Sequence, residues 1–247
     1  MEYRNIKCEL RDDIRIIQIS RPSELNPLDI ETLEEIEACL KSESRITVIK
    51  GSSRAFSAGA DIKNFKGLSP EVAYSFARTG HRIYNYIADY DLPVIAAING
   101  YALGGGFELS LACDFRIGSP DSKLGLTELN LGIIPGWGGT QRLKALAGEQ
   151  FALYMIATSR ILNADEALAH GILLQKSDNP VESAIELART LKEKSMKTLK
   201  FVKSLIRTVP DELFEEEMTL FGKSFEGSNS SEGVEAFLQK RKPVFKE

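Results

Sequence analysis

The sequence predicts an α/β protein that ends in a helical region. Three patterns lead there. Short β-branched runs at residues 14–20, 46–50 and 94–98 alternate with amphipathic stretches, as parallel strands joined by helical crossovers do. The runs ending at Lys50 and Ile98 lead straight into glycine-bearing turns. Beyond Gly139 the pattern becomes almost wholly helical.

Taken in order, residues 3–10 place Ile6, Cys8 and Leu10 at alternate positions, and residues 14–20 are β-branched and mostly apolar. Asp12-Asp13 supplies turn chemistry between them, so the pair reads as a hairpin. Asn26-Pro27 stops the extended chain. Asp29 then caps a helix whose apolar stripe is Ile30, Leu33, Ile36 and Leu40. Residues 46–50 form a strand ending at Gly51. Ser69-Pro70 joins a capping hydroxyl to a proline in the first helical position, and that helix extends to about Tyr90. Residues 94–98 read as a buried strand, 107–113 as a helix and 115–118 as another strand. Past Gly139 only residues 172–175 look extended. From Asn179 onward the helical patterns break at Ser195, at Pro210 and over residues 227–231. The expected division is a core of residues 1–193 and a helical region of residues 194–247.

The 247 residues carry 31 Lys and Arg against 35 Asp and Glu, a net charge of −4. A mildly acidic chain has no general attraction for phosphate backbones, so nucleic acid is not an expected partner. The densest basic stretch holds Lys192, Lys194, Lys197, Lys200 and Lys203. At that spacing the charges spread around a helix, as a solvated face or a phosphate contact would have them. Cys8, Cys39 and Cys113 are widely spaced and form no Cys-x-x-Cys pair, which argues against a zinc knuckle and a disulfide framework. Two histidines, His81 and His170, do not make a His-rich metal site alone. No metal or redox cofactor is expected. The start, Met1-Glu2-Tyr3-Arg4, leads into no apolar stretch, so the expectation is a cytoplasmic protein without a membrane partner.

Several familiar motifs fail. Gly222-Lys223-Ser224 resembles the end of a P-loop, but Glu217 stands where the first glycine is required. Gly104-x-Gly106 has Leu109, and Gly136-x-Gly138 has Gln141, where a dinucleotide fingerprint needs glycine. No Gly-x-Ser-x-Gly elbow is present. Neither histidine has an evident nucleophile to serve.

Other features survive. Two glycine turns, residues 55–62 and 99–106, each follow a buried-strand pattern. Ligands of α/β sheets sit beyond the carboxyl ends of strands. Each turn can open a helix whose first N–H is unpaired, and two such donors can hold a developing oxyanion. Tight turns that simply let helices pack near strands satisfy the same pattern. Glu108 and Glu128, 20 positions apart, are lone acids among apolar residues. Each is either the solvated edge of its element or a buried carboxyl whose pKa is raised toward acid–base use. Residues 134–143 bring a third glycine-rich helix start. There Trp137 either lines an apolar slot or packs in the core.

Together these residues resemble the enoyl-CoA hydratase/isomerase, or crotonase, superfamily. The likeness runs through Ser20-Arg21-Pro22 and Leu25-Asn26-Pro27-Leu28, then Phe56-Ser57-Ala58-Gly59-Ala60-Asp61-Ile62. It continues over residues 93–109, through Pro135-Gly136-x-Gly138-Gly139-Thr140-Gln141-Arg142-Leu143, and ends in residues 232–243. The resemblance implies a crotonase-like spiral of ββα units with a helical C-terminal oligomerisation region, assembling as a homotrimer or dimer of trimers. It implies an acyl-CoA thioester substrate, with CoA as part of the substrate and no separate cofactor. The thioester oxygen would accept from the backbone N–H groups of Ala60 and Gly105. Ala58, Ala60, Asp61, Ile62 and Lys63 would run beside CoA, with Gly136 and Trp137 also at the substrate. Glu108 and Glu128 stand at the two places where hydratases of the family hold a water, which favours enoyl-CoA hydratase of fatty acid metabolism over a double-bond isomerase. A few relatives bind RNA, and the lysine stretch is the only candidate for that. Trp137 departs from the small or acidic residue common at its place. Apolar faces at Phe201, Leu205, Val209, Leu213, Phe214 and Phe221 are expected to contribute to the trimer.

Overall fold

A computed structural model describes residues 3–21, 25–52, 54–206, 211–226 and 228–244, without the side chains of residues 211–213 and 216. Pro22, Val209 and the side chain of Leu213 therefore lie outside the described residues.

The β-branched runs lie side by side. β1 (Ile6–Arg11) and β2 (Ile14–Ile19) form an antiparallel hairpin with Arg11 opposite Ile14. Asp12 and Asp13 make its turn at φ 54° and 63°, the double positive-φ geometry that matches strand twist. Parallel pairing then carries the sheet from β2 through β3 (Thr47–Lys50) and β5 (Val94–Ile98) to β7 (Phe115–Gly118). β10 (Gln175–Lys176) pairs at the far edge. A second sheet holds β4 (Ala55–Ser57), β6 (Tyr101–Leu103), β8 (Lys123–Gly125) and β9 (Leu162–Asn163) in that order.

The two sheets are built by one repeated step. β3, β5 and β7 of the first sheet each pass through a short corner into β4, β6 and β8 of the second, and a helix usually follows. This is the expected spiral of ββα units. The second sheet is absent from the sequence reading, because strands of two or three residues are too short to display alternation. The extended residues placed at 172–175 fall instead at β10.

The helices follow their caps. Asp29 Oδ1 accepts from Thr32 N at 2.8 Å and starts α1 (Ile30–Ser42). Ser69 caps α2 (Pro70–Asp89) by accepting from Val72 N, with Pro70 in the first turn. α3 (Gly105–Ala112) is buried on every side. α4 (Gly139–Ala147), α5 (Glu149–Ala157), α6 (Ala164–Ala169) and α7 (Pro180–Lys192) follow, then α8 (Met196–Ile206), α9 (Asp211–Lys223) and α10 (Asn229–Leu238).

Alternate residues of the central strands feed two cores, as a sheet covered on both faces requires. Ile17, Ile49, Ala96 and Ile98 pack toward α1, α2 and α3, while Ile16, Val48, Ile95 and Ala97 pack toward Ala184, Ile185 and Ala188 of α7. A third core joins Ala73 and Ala77 of α2 to Met218 and Phe221 of α9, with Phe65, Ile133 and Val234. Phe214 and Phe221 are thus buried within their own chain, which corrects the expectation that they face a neighbouring subunit. On α8, Phe201 and Leu205 are 53% and 81% exposed. The lysine stretch is largely engaged with acids. Lys192 pairs with Asp13 and Lys200 with Asp91, and Lys203 Nζ donates to Asp114 Oδ2, Tyr90 O and Leu92 O. No helix among the described residues is long and apolar enough to cross a membrane.

One buried side chain ties the end of the hairpin to the second sheet. Asn26, at φ 57°, is fully buried. Its Oδ1 accepts from Arg21 N at 3.0 Å and Ser52 Oγ at 2.8 Å. Its Nδ2 donates to Ser52 O at 2.9 Å and to Ala55 O at 2.7 Å. All four of its bonding sites are filled. Asn26→Ala strands a buried carbonyl and an N–H, and is expected to cost about 3 kcal/mol. Urea unfolding checks this as a lower midpoint with an unchanged slope.

Candidate active site

The carboxyl ends of β4 and β6 bring the two glycine turns into contact. In the first turn most N–H groups are already engaged. Ala58 N donates to Leu25 O at 2.9 Å, Gly59 N to Ser57 Oγ at 3.1 Å and Asp61 N to Leu28 O at 2.9 Å. The N–H of Ala60 has no acceptor among the described residues. In the second turn Gly105 opens α3, where the first N–H has no partner inside the helix. The two donors are neighbours: a Cβ added to Gly105 would stand 3.4 Å from Ala60 N. Tyr84 Oη, from α2, donates to Gly105 O at 2.8 Å and so holds Gly105 from its carbonyl side.

Arg21 anchors the Ala60 turn. Its guanidinium donates to Asp29 Oδ2 at 2.8 Å and to Asp61 Oδ2 at 3.1 Å, and all three groups are largely shielded from solvent. Asp61 also accepts from Lys63 N at the start of a short 3-10 turn, Ile62–Phe65. Asp61 is thus held by Arg21 and does not line the cleft. Lys63 is exposed and does not line it either. The other expected residues, Ala58, Ala60, Ile62, Gly105, Glu108, Glu128, Gly136 and Trp137, all line a single narrow cleft. It has room for about 50 Å³ of solvent, a few water molecules.

The two carboxyls differ in their partners. Glu108, in the first turn of α3, is 2% exposed, and its Oε1 accepts from Trp137 N and Gly139 N at 2.8 Å each. Glu128 begins a 3-10 turn, Glu128–Leu131, and is 9% exposed. Its Oε2 has no partner among the described residues. Its Oε1 approaches Gly104 so closely that a Cβ there would lie 3.0 Å away, and Gly104 sits at φ 49°, so glycine is required twice over. Burial raises the pKa of both carboxyls, with Glu128 brought to about 7. Glu108 is raised further by the negative charges of Glu128 and Glu217, against the two amide donors that favour its charge. Two interacting acids in one buried cleft titrate as a pair.

Trp137 closes the cleft. It is 2% exposed and its indole lies between two glycines. A Cβ on Gly80 would meet Nε1 at 2.1 Å, and one on Gly105 would meet Cζ3 at 2.5 Å. Phe76 and Tyr84 flank it at ring separations of 5.1 and 5.4 Å. Trp137 thus packs in the core and also lines the cleft. Phe65, Phe76, Leu131, Ile133 and Phe221 complete an apolar wall. The sequence reading did not single these out. They come from separate elements, and in the sequence each carries only the ordinary signal of a residue due for burial.

Two consequences can be measured. Gly80→Ala should displace the indole and cost about 1–3 kcal/mol. Trp137 is the only tryptophan, so a red-shifted emission reports the displacement directly. For Glu128 the folded pKa is raised, so the folded chain holds more protons than the unfolded one between about pH 4.5 and 7. Stability then falls as pH rises through that window and levels off above it. Glu128→Gln should be more stable than the parent at pH 8, by about 3 kcal/mol at about 1.4 kcal/mol per pH unit. The gap should close near pH 4.5, as followed by urea unfolding across pH.

The enoyl-CoA hydratase/isomerase family model matches residues 9–247. A probable enoyl-CoA hydratase of Bacillus subtilis is 40% identical over 246 residues, covering 94% of this chain and 95% of its own. A crotonyl-CoA hydratase of Syntrophomonas wolfei is 37% identical over 258 residues, covering 99% of each chain. The crystal structure of an enoyl-CoA hydratase from Bacillus anthracis superimposes with a TM-score of 0.78 at 33% identity, over 98% of this chain and 99% of that one. By sequence over nearly its whole length, and by fold, the chain belongs to the enoyl-CoA hydratase/isomerase family.

Proposed function

We propose that this cleft adds water reversibly across the 2,3 double bond of a 2-enoyl-CoA. One observation carries the reading. Two buried carboxyls, one held by two amide donors and one with an unpartnered oxygen, open onto the same few water volumes as two unengaged backbone N–H groups.

The chemistry follows from that set. The thioester oxygen accepts from Ala60 N–H and Gly105 N–H, which withdraws electrons from the conjugated double bond and makes C3 electrophilic. Glu108, whose ionised form the Trp137 and Gly139 amides favour, is the base: it takes a proton from the water while the hydroxyl oxygen bonds to C3. The π electrons move toward the thioester oxygen as enolate, and the acid Glu128 delivers a proton to C2, so that one water is added overall. The carboxyl pair then exchanges its proton to reset. The enolate forms where the donors already stand, and such preorganised donors contribute about 3–4 kcal/mol each. Acid and base act from one cleft, which favours syn addition. Residues 58–63 lie along the CoA portion, Gly136 and Trp137 bound the acyl end, and CoA enters as part of the substrate. The exposed apolar residues of α8 are the surface available for assembly into trimers.

The experiment follows the conjugated thioester absorbance of a short 2-enoyl-CoA as it disappears on hydration. Glu108→Gln and Glu128→Gln are each expected to slow turnover by about 10²–10⁴-fold, with thioester binding little changed because backbone groups hold the thioester. A chain that hydrates no 2-enoyl-CoA, yet converts a 3-enoyl-CoA to the conjugated isomer with Glu108→Gln still active, would replace hydration by double-bond isomerisation.

A further inference from the structure

A third buried acid stands behind the cleft. Glu217 lies on α9, and its side chain is 1% exposed. It reaches the loop that holds Glu108 and takes up the N–H groups that Glu108 leaves. Along Trp137-Gly138-Gly139-Thr140 the donors divide by turns. Trp137 N and Gly139 N donate to Glu108 Oε1 at 2.8 Å each. Gly138 N donates to Glu217 Oε1, and Thr140 N donates to Glu217 Oε2 at 3.0 Å. Thr140 Oγ1 also donates to Glu217 Oε2. Four consecutive amides are thus shared alternately by two carboxylates on opposite sides of one loop.

His81, on α2 and 2% exposed, donates from Nε2 to Glu217 Oε1 at 2.9 Å and leans against Phe214 at a ring separation of 5.1 Å. Arg142, one turn into α4, donates to Trp137 O at 2.8 Å and closes the other end of the loop. Glu217 therefore binds α2, α9 and the start of α4 together around the amides that set the orientation of Glu108. The sequence offered no sign of this. Glu217 appeared there only as the residue that spoils a P-loop, and His81 only as a histidine without a partner.

We propose that Glu217 is a positioning residue for Glu108: it fixes the Trp137–Thr140 loop from behind, so that the amides of Trp137 and Gly139 hold the Glu108 carboxylate toward the water. This rests on the reading of Glu108 as the group that activates water. The requirement is specific to a carboxylate, because all the loop groups that meet Glu217 are donors. A carboxamide at this place turns an NH₂ group onto one of them.

Glu217→Gln tests it in the full-length chain. Turnover of a short 2-enoyl-CoA should fall by about 10²-fold, the scale of a small misplacement of a reacting group, while KM changes by less than about threefold. The decisive measurement is a double-mutant cycle with Glu108→Gln. If Glu217 acts through Glu108, then Glu217→Gln has little further effect once Glu108 is replaced. Multiplying effects, or unchanged turnover in Glu217→Gln alone, would overturn the proposal. Should Glu217→Gln not fold, Thr140→Val removes one Glu217 contact and preserves the side-chain shape. The same cycle then applies, with a smaller loss in turnover expected and the same non-additivity required. Trp137 emission, measured on all variants without substrate, reports the loop independently of catalysis. A parent chain that hydrates nothing overturns the hydration reading. The loop coupling still stands or falls on whether the emission changes of the Glu217 and Glu108 variants fail to add.

Discussion

The structure depends on holding buried carboxylates with backbone amides. A carboxylate without partners in an apolar interior is strongly disfavoured. Glu108 is tolerated there because Trp137 N and Gly139 N meet its Oε1, and those donors are free because they lie at the start of α4, where helix geometry leaves N–H groups unpaired. The acid and the helix start satisfy each other. Glu217 does the same from the opposite side. The loop is thus a layer of donors between two acids; Gly139 leaves the space for Glu108 to reach it, and Gly138 makes room for Arg142.

The second sheet sets where everything else stands. Its strands are very short, but three of the four turn the chain so that a glycine-bearing corner emerges at the same edge. β4 leads to Ala60, β6 leads to Gly105, and β8 leads to Glu128. The parallel register of β4 with β6 and of β6 with β8 fixes these corners beside one another. Asn26 and the Arg21–Asp29–Asp61 cluster then secure the first corner from outside. Rigid backbone donors at strand ends, supported by buried polar groups, are the preorganised kind of site that gains most from exclusion of water.

Glu128 is a buried carboxyl of the site left without full compensation. Its unpartnered Oε2 and its raised pKa are a local cost in stability. A site that must exchange a proton near neutral pH has to accept such a cost, because full satisfaction of the carboxylate would return its pKa to the ordinary range. The aromatic wall of Phe65, Phe76, Trp137 and Phe221 keeps the surroundings apolar enough to maintain the shift.

The sequence alone determined the long elements and pointed to the residues of the candidate site. The hairpin, α1 with its Asp29 cap, α2 with Ser69-Pro70, and the strand Val94–Ile98 were readable because each is long enough to show a period, or carries a cap with a definite side-chain role. Glu108 and Glu128 were readable as isolated acids in apolar segments, and the resemblance to the family suggested the roles proposed for them. The tertiary structure alone decided the rest. The second sheet could not be seen, since three residues carry no periodicity. Asp61 is anchored by Arg21, 40 positions earlier, a contact no local pattern shows. Phe214 and Phe221 proved to be internal because α2 covers α9. Glu217 and His81 meet across 136 positions, and their joint hold on one loop is a property of packing, which no local pattern of residues encodes.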